Sequence, residues 1–275
     1  MLTRLDLQKM KQENEKISMI TSYDYPSAKL AQQAGVDMIL VGDSLGMVML
    51  GYESTVQVTV DDMIHHAKAV KRAADNTFVA VDMPFMSFHI SLDESLRHAQ
   101  RIFQETNAQA LKIEGASKEI LTLTKRLTDA GIPVVAHVGL TPQSVNVLGG
   151  FKVQGKDQKA GEKLLEDARQ LEAHGAIAVV LECVPMELAE IVTSKLSIPT
   201  IGIGGGPFCD GQVLVYHDIV QYGVDRLAKF VKPYADMNTA VKQAIQNYRE
   251  DVKKGSFPTE EYSFKIKDQA FLPKQ

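Results

Sequence analysis

The chain has 275 residues, with 34 Asp+Glu against 30 Lys+Arg and a formal net charge of −4, and its sequence pI is about 6.0. That balance excludes a basic stripe able to neutralise nucleic-acid phosphates, and it is too mild for a disordered acidic tail. Apolar residues at 45% and charged residues at 23% are ordinary globular composition, and a chain of this length buries a substantial core without staples.

Met1 to Lys16 is dense in charge and lacks an apolar stretch, so no secretory leader is expected. The first β-branched run is Ile17–Thr21. A helical pattern, Ala28 to Ala34, follows and stops at Gly35. The next run, Met38–Val41, leads to a long helical pattern from Asp61 to Ala74. There Ile64, Ala67, Val70 and Ala74 form one apolar stripe behind Thr59 as N-cap. Phe78–Val81 precedes a helix from Ser91 to Glu105, opened by a capping box of Ser91 and Glu94. Ala110–Ile113 precedes a helix from Lys118 to Ala130 that ends at Gly131. Pro133–Ala136 precedes a helix from Lys159 to Ala173, closed by His174-Gly175. Ile177–Leu181 precedes a helix from Pro185 to Leu196, with proline in its tolerated first turn. Thr200–Ile203 and Val213–Tyr216 complete the series. The gap between these two is too short for a helix and holds Gly204-Gly205-Gly206-Pro207.

Strand and helix alternate through about eight strands. That argues for an α/β fold of one domain, a (β/α)8 barrel over residues 1–275, with an open doubly wound sheet as the alternative. Residues 235–275 are expected to extend beyond the barrel as a helix and an arm carrying Phe257, Tyr262, Phe264 and Phe271. The arm is expected to pack on the barrel or on a neighbouring subunit. Cys183 and Cys209 form no metal or redox motif and read as reduced thiols near strand ends. No apolar run approaches the roughly 18 residues of a membrane span, and a cytoplasmic protein is expected.

Polar residues stand at the C-terminal ends of the runs, where barrel active sites are built. Asp43 and Ser44 follow Met38–Val41, and Asp82 follows Phe78–Val81. Lys112 and Glu114 lie two apart on one side of a strand; His137 and Glu182 follow the fifth and sixth runs. Each has an ordinary alternative. Asp43 or Asp82 could be a turn or cap residue, Lys112 and Glu114 an internal ion pair, and His137 a core histidine. Glu182, an acid after a buried run, needs a partner, a metal or water. Their joint placement points to chemistry. Hard oxygen donors with little His and no Cys favour Mg²⁺, which Asp43, Asp82 and Glu114 could share directly or through water. A 2-oxo acid chelated to such an ion is activated for enolisation, with Lys112 adding charge and Glu182 available as base. Main-chain N–H groups around Asp43 and Ser44 could hold the substrate carboxylate.

Weaker features read as structure. Gly202-Ile203-Gly204-Gly205-Gly206 suits tight turning better than phosphate binding. His65 and His66 suit a surface or supporting place. Met47, Met49, Met83 and Met86 could line an apolar pocket.

Longer stretches carry a resemblance. They are Thr21-Ser22-Tyr23-Asp24-Tyr25-Pro26-Ser27-Ala28, Val41-Gly42-Asp43-Ser44-Leu45-Gly46-Met47 and Asp82-Met83-Pro84-Phe85-Met86-Ser87. Lys112-Ile113-Glu114-Gly115, His137-Val138-Gly139-Leu140-Thr141-Pro142-Gln143-Ser144 and Leu181-Glu182-Cys183-Val184-Pro185 continue the series. In this order, from about residue 2 to residue 260, the chain resembles the ketopantoate hydroxymethyltransferase family. The resemblance implies a barrel of the phosphoenolpyruvate/pyruvate type. It also implies transfer of a one-carbon unit from 5,10-methylenetetrahydrofolate to 3-methyl-2-oxobutanoate, giving 2-dehydropantoate in pantothenate synthesis. Residue by residue, it implies Asp43, Asp82 and Glu114 as the magnesium site. Asp43, Ser44, Asp82 and Lys112 become 2-oxo acid contacts, Glu182 the proton acceptor, and His137 a substrate-side hydrogen-bonding residue. It further implies a homo-oligomer, commonly a decamer. Asn146 and the second-last glycine of the 202–206 loop depart from the family pattern without touching these residues. Rival readings are a lyase for 2-oxo or 2-hydroxy diacids, a Schiff-base role for Lys112, and a barrel that only binds 2-oxo acids.

Overall fold

A computed structural model describes residues 1–224 and 226–267. Eight parallel strands close into a barrel in sequence order. They are β1 Ile17–Thr21, β2 Met38–Val41, β3 Phe78–Asp82, β4 Ala110–Glu114, β5 Val134–Gly139, β6 Ala178–Glu182, β7 Thr200–Ile203 and β8 Gly211–Leu214. Closure excludes the open sheet. The helices are α1 Arg4–Gln12, α2 Tyr25–Gln33, α3 Leu45–Val48, α4 Val60–Ala73, α5 Leu92–Thr106, α6 Lys118–Asp129, α7 Val145–Leu148, α8 Gln158–Ala173, α9 Met186–Lys195, α10 Tyr216–Val220 and α11 Met237–Lys254.

Residues two apart on each strand share a face. Ile39 and Val41, like Val79 and Val81, point outward and pack with Ala67 and Val70 of α4 in one large core. Met38, Leu40, Phe78, Ala80, Ala110, Val135, Ala178, Val180 and Ile201 point inward and form a second core. Leu7 and Met10 of α1 join this inner core, so the helix plugs one end of the barrel. The inward alternation then runs Ala80 to Asp82, Ala110 to Lys112 and Glu114, Val135 to His137, and Val180 to Glu182. The barrel interior is therefore apolar below and ionisable at the C-terminal mouth.

Several expectations shift at element ends. The charged start, for which no element is predicted from sequence, forms α1, opened by a reciprocal Thr3–Asp6 capping box. α2 begins earlier than expected because Asp24 caps it and Pro26 occupies its first turn. The Ser91 hydroxyl accepts from the Glu94 N–H at 3.2 Å, but the return half of that capping box is absent among the described residues. Pro185 is the N-cap of α9 and does not enter its first turn. β8 lies two residues earlier than Val213–Tyr216, set by its pairing of Gly211 with Ile17.

No helix separates β7 from β8, as the short gap implies. Gly204 and Gly206 turn the chain at positive φ, and the Gln212 amide donates to the Gly206 carbonyl at 2.8 Å. The bare outer face of β8 and β1 borders a cavity of about 820 Å³ lined in part by Ser18, Ile20, Gln212 and Phe230. This is a gap in packing on the outside of the barrel. α11 contains no buried residue, and Tyr262 and Phe264 are exposed. Phe257 packs on Tyr248 and Tyr262 at ring distances of 5.8 and 5.6 Å. Packing on its own barrel, one of the two places expected for the arm, is thus not found for these three aromatics. Phe271 lies outside the described residues. Both cysteines are free. Among the described residues, no helix is long and apolar enough to cross a membrane.

Candidate active site

Strand register sets the site. Asp82 on β3 stands opposite Lys112 on β4. Glu114, on the same side of β4 as Lys112, stands opposite His137 on β5. Gly139, two residues on, stands opposite Glu182 on β6. The ionisable groups therefore form a continuous arc around the mouth. Pairing persists just beyond the strands: the Met83 N–H donates to the Lys112 carbonyl at 2.9 Å and the Leu140 N–H to the Glu182 carbonyl at 2.8 Å. Gly139 is required where the last pair meets. Its φ is +97°, and a Cβ there would stand 2.3 Å from the Glu182 carbonyl oxygen.

Asp43 lies in the turn between β2 and α3, and its main-chain N–H donates to Asp82 Oδ2 at 3.1 Å. That N–H is therefore engaged by a carboxylate in this structure. Lys112 Nζ pairs with Asp82 Oδ1 at 2.8 Å, with both side chains almost fully buried. His137 bridges two acids: Nδ1 faces Glu114 at 3.5 Å and Nε2 faces Glu182 at 3.3 Å. These are ion-pair contacts without hydrogen-bond alignment, since both ring nitrogens and Glu114 Oε1 are buried with no aligned partner among the described residues. Both nitrogens of His137 are directed at glutamates, so in this structure it stands as a bridge between the two acids. Ser44 is half-buried and shares a 2.7 Å hydrogen bond with the Tyr23 hydroxyl.

Two residues missing from the sequence-based site complete the shell. Tyr23 is fully buried, its carbonyl lies 2.6 Å from His66 Nδ1, and its ring lies 5.6 Å from His217. His66 thus has the supporting place expected of it. Gln143 lies just past β5; its side-chain amide donates to Asp43 Oδ2 at 2.7 Å and to the Met83 carbonyl at 3.0 Å. Its main-chain N–H donates to Glu114 Oε2 at 3.2 Å. Both lie inside the quoted motifs, and a buried polar side chain just after a barrel strand was the available signal. Of the four methionines, Met83 is buried in the core, whereas Met47 in α3, Met49 at its end and Met86 after β3 are exposed.

The electrostatics follow from crowding. Burial, then the charges of Asp82 and Glu114, push the Asp43 carboxyl well above the usual carboxylate range. Burial also raises Asp82, with Lys112 opposing it. For Glu114, burial is outweighed by His137, Lys112 and the Gln143 N–H, which hold it below its ordinary value. Burial works against the charge on Lys112, but Asp82, Glu114 and Asp43 outweigh it and keep the ammonium protonated. His137 is opposed by burial and by Lys112, yet the two glutamates raise it to about 9.

Three buried acids thus face a single ammonium, and Glu114 retains an orphaned oxygen. This donor set fits a hard divalent cation. Among the described residues, no three His, Cys, Asp or Glu side chains close into a ready-made metal cage. Hard oxygen donors of this kind suit an ion such as Mg²⁺, which is bound through one or two carboxylates and keeps several waters.

The family model described as ketopantoate hydroxymethyltransferase matches residues 1–260. A 3-methyl-2-oxobutanoate hydroxymethyltransferase of Geobacillus sp. (strain WCH70) is 60% identical over 272 residues, 99% of this chain and 97% of that protein. One from Bacillus cereus (strain B4264) is likewise 60% identical, over 99% of this chain and 98% of that protein. Among solved structures, a phosphonopyruvate hydrolase with oxalate and Mg²⁺ has a TM-score of 0.61 at 11% identity, covering 97% of this chain and 93% of that one. A 2,3-dimethylmalate lyase, described as a PEP mutase/isocitrate lyase superfamily member, has a TM-score of 0.58 at 16% identity, covering 96% and 92%. At such identities these two speak to the fold alone.

Proposed function

The chain belongs to the ketopantoate hydroxymethyltransferase family, and from that premise we propose that it converts 3-methyl-2-oxobutanoate to 2-dehydropantoate in pantothenate synthesis, with 5,10-methylenetetrahydrofolate as one-carbon donor. The observation that carries the reading is the arc Asp43–Asp82–Lys112–Glu114–His137–Glu182, an acid-rich mouth with one ammonium and a base at its rim. The one-carbon unit arrives at the oxidation level of formaldehyde. With one water consumed, C3 of the 2-oxo acid loses a proton and gains CH₂OH, and tetrahydrofolate leaves.

Asp43, Asp82 and Glu114 would hold Mg²⁺, which when bound supplies Lewis-acid stabilisation of charge on the keto oxygen. The chain's own residues account for the remaining work. Ser44, fixed by Tyr23, orients the acid beside Asp43 and Asp82. Lys112 stays protonated and lends positive charge where the enolate oxygen develops, in a site largely closed to water. Glu182 takes the C3 proton. His137 lies beneath it and holds it in place, while Glu114 braces the other side of the ring.

The same reading carries a cytoplasmic location, supported by two free thiols. It also carries self-association, supported by an α11 that leaves Ile245, Tyr248 and Val252 exposed. The test is turnover of 3-methyl-2-oxobutanoate with 5,10-methylenetetrahydrofolate. Formation of 2-dehydropantoate that EDTA abolishes and Mg²⁺ restores is expected. No product under any of these conditions overturns the reading.

A further inference from the structure

The amide of Gln143 has a fixed orientation. Its nitrogen donates to two acceptors, Asp43 Oδ2 and the Met83 carbonyl. Flipping the amide would set an oxygen against both, so the assignment follows from the partners. The main-chain N–H of the same residue donates to Glu114 Oε2. One residue therefore fastens one oxygen of each of two carboxylates that come from different strands. It is 5% exposed, and its anchor on the Met83 carbonyl ties it to the strand end that carries Asp82. The oxygen left over, Gln143 Oε1, is buried with no partner among the described residues, as is Glu114 Oε1. A buried amide oxygen without a donor is costly to leave unmade. Water on a cation held by the neighbouring acids would supply the missing donor.

We propose that Gln143 is a positioning residue that sets Asp43 and Glu114 as a pair to receive the divalent cation. The inference rests on the cation reading given under Proposed function. Gln143 uses up Asp43 Oδ2 and Glu114 Oε2, which leaves Asp43 Oδ1 for the ion or its water and Glu114 Oε1 between the His137 ring and the site. Its place in a short turn, Pro142–Ser144, fixed by the proline and by the Ser144 N–H to the Thr141 carbonyl at 2.8 Å, makes the clamp rigid. Residues that orient metal ligands in this way typically change metal affinity by about 10–100-fold when replaced.

The test is titration of metal-free full-length protein with Mn²⁺, following free Mn²⁺ by electron paramagnetic resonance. Wild type is compared with Gln143→Leu and Gln143→Asn, the second of which keeps an amide too short to reach Asp43 and the Met83 carbonyl. Both variants are expected to bind Mn²⁺ about 10–100-fold more weakly. The Mg²⁺ concentration for half-maximal activity is expected to rise in parallel, with kcat largely recovered at saturating Mg²⁺. A merely structural role would lower the melting temperature without moving Mn²⁺ affinity. A folded variant that binds Mn²⁺ within about twofold of wild type overturns the inference, as that change is well below the loss a ligand-orienting residue causes. If the leucine variant does not fold, the asparagine variant is judged by the same criterion. Wild type that binds no Mn²⁺ overturns the cation reading itself, and this inference with it.

Discussion

Replacing Lys112 with methionine removes the buried ammonium from among Asp43, Asp82 and Glu114 while keeping most of the side-chain volume. Nζ lies 2.8 Å from Asp82 Oδ1. At an effective dielectric constant of about 20, an attraction at that distance is worth roughly 6 kcal/mol before desolvation is subtracted. Removal of one member of a buried pair leaves the other uncompensated and costs about 3–5 kcal/mol. For 275 residues the entropy of unfolding is about 0.6 kcal/mol per degree, so the metal-free variant is expected to melt about 5–9 °C lower. The assay is thermal unfolding in EDTA near neutral pH at one fixed protein concentration. As pH falls and Asp82 takes up a proton, the neutral acid no longer needs a partner, and the gap should narrow. Adding Asp82→Asn to the lysine variant should recover most of the stability. It should not recover activity, because the charge at the keto oxygen is still missing, a loss of about 10²–10³ in kcat. A metal-free single variant that melts within about 1 °C of wild type would refute the reasoning, since the expected cost is several times larger.

Glu182→Gln keeps the shape of the rim and removes its base. Calorimetry should show 2-oxo acid binding retained while kcat falls about 10²–10⁴-fold, and near-wild-type turnover would remove Glu182 from the role. Gly139→Ala places a methyl group 2.3 Å from the Glu182 carbonyl at a φ of +97°. It should cost about 1–3 kcal/mol of stability and lower activity together with it, which a chemical melt and a rate measurement would check. His137 is raised from 6.5 to about 9. Its contribution is complete below pH ~6.5 and is lost as pH rises through about 9, roughly 3 kcal/mol in all. Denaturant melts in EDTA across that range should show the loss in wild type and a flatter profile for His137→Gln; identical slopes would contradict it.

The barrel was legible because each inward strand position obeys the same alternation, which the short β-branched runs carry openly. The ionisable mouth was legible for the same reason: Asp82, Lys112, Glu114, His137 and Glu182 continue an inward set into the last turn of each strand. What the sequence could not carry was pairing across the barrel. The reach of Gln143 to Asp43 spans 100 residues, and no local pattern announces it. The same holds for Tyr23 and Ser44, whose contact depends on the closing of β1 against β2. His137 illustrates a different limit. Its residue type allowed a core histidine, and only register shows that a glutamate faces each nitrogen. The early start of α2 and the earlier position of β8 were hidden because Asp24 capping and Gly211 pairing override local apolar content. The helix expected in the C-terminal segment is found as α11, yet nothing in the sequence says that its own barrel leaves it uncovered.

The account stands or falls on removal of the C3 proton from a 2-oxo acid at this mouth. Incubation of the enzyme with 3-methyl-2-oxobutanoate and Mg²⁺ in deuterated water, followed by proton NMR, measures that step directly. The account predicts loss of the C3–H signal that EDTA stops and Glu182→Gln slows. A C3–H signal that persists with Mg²⁺ present, both without and with the folate carrier, would contradict it.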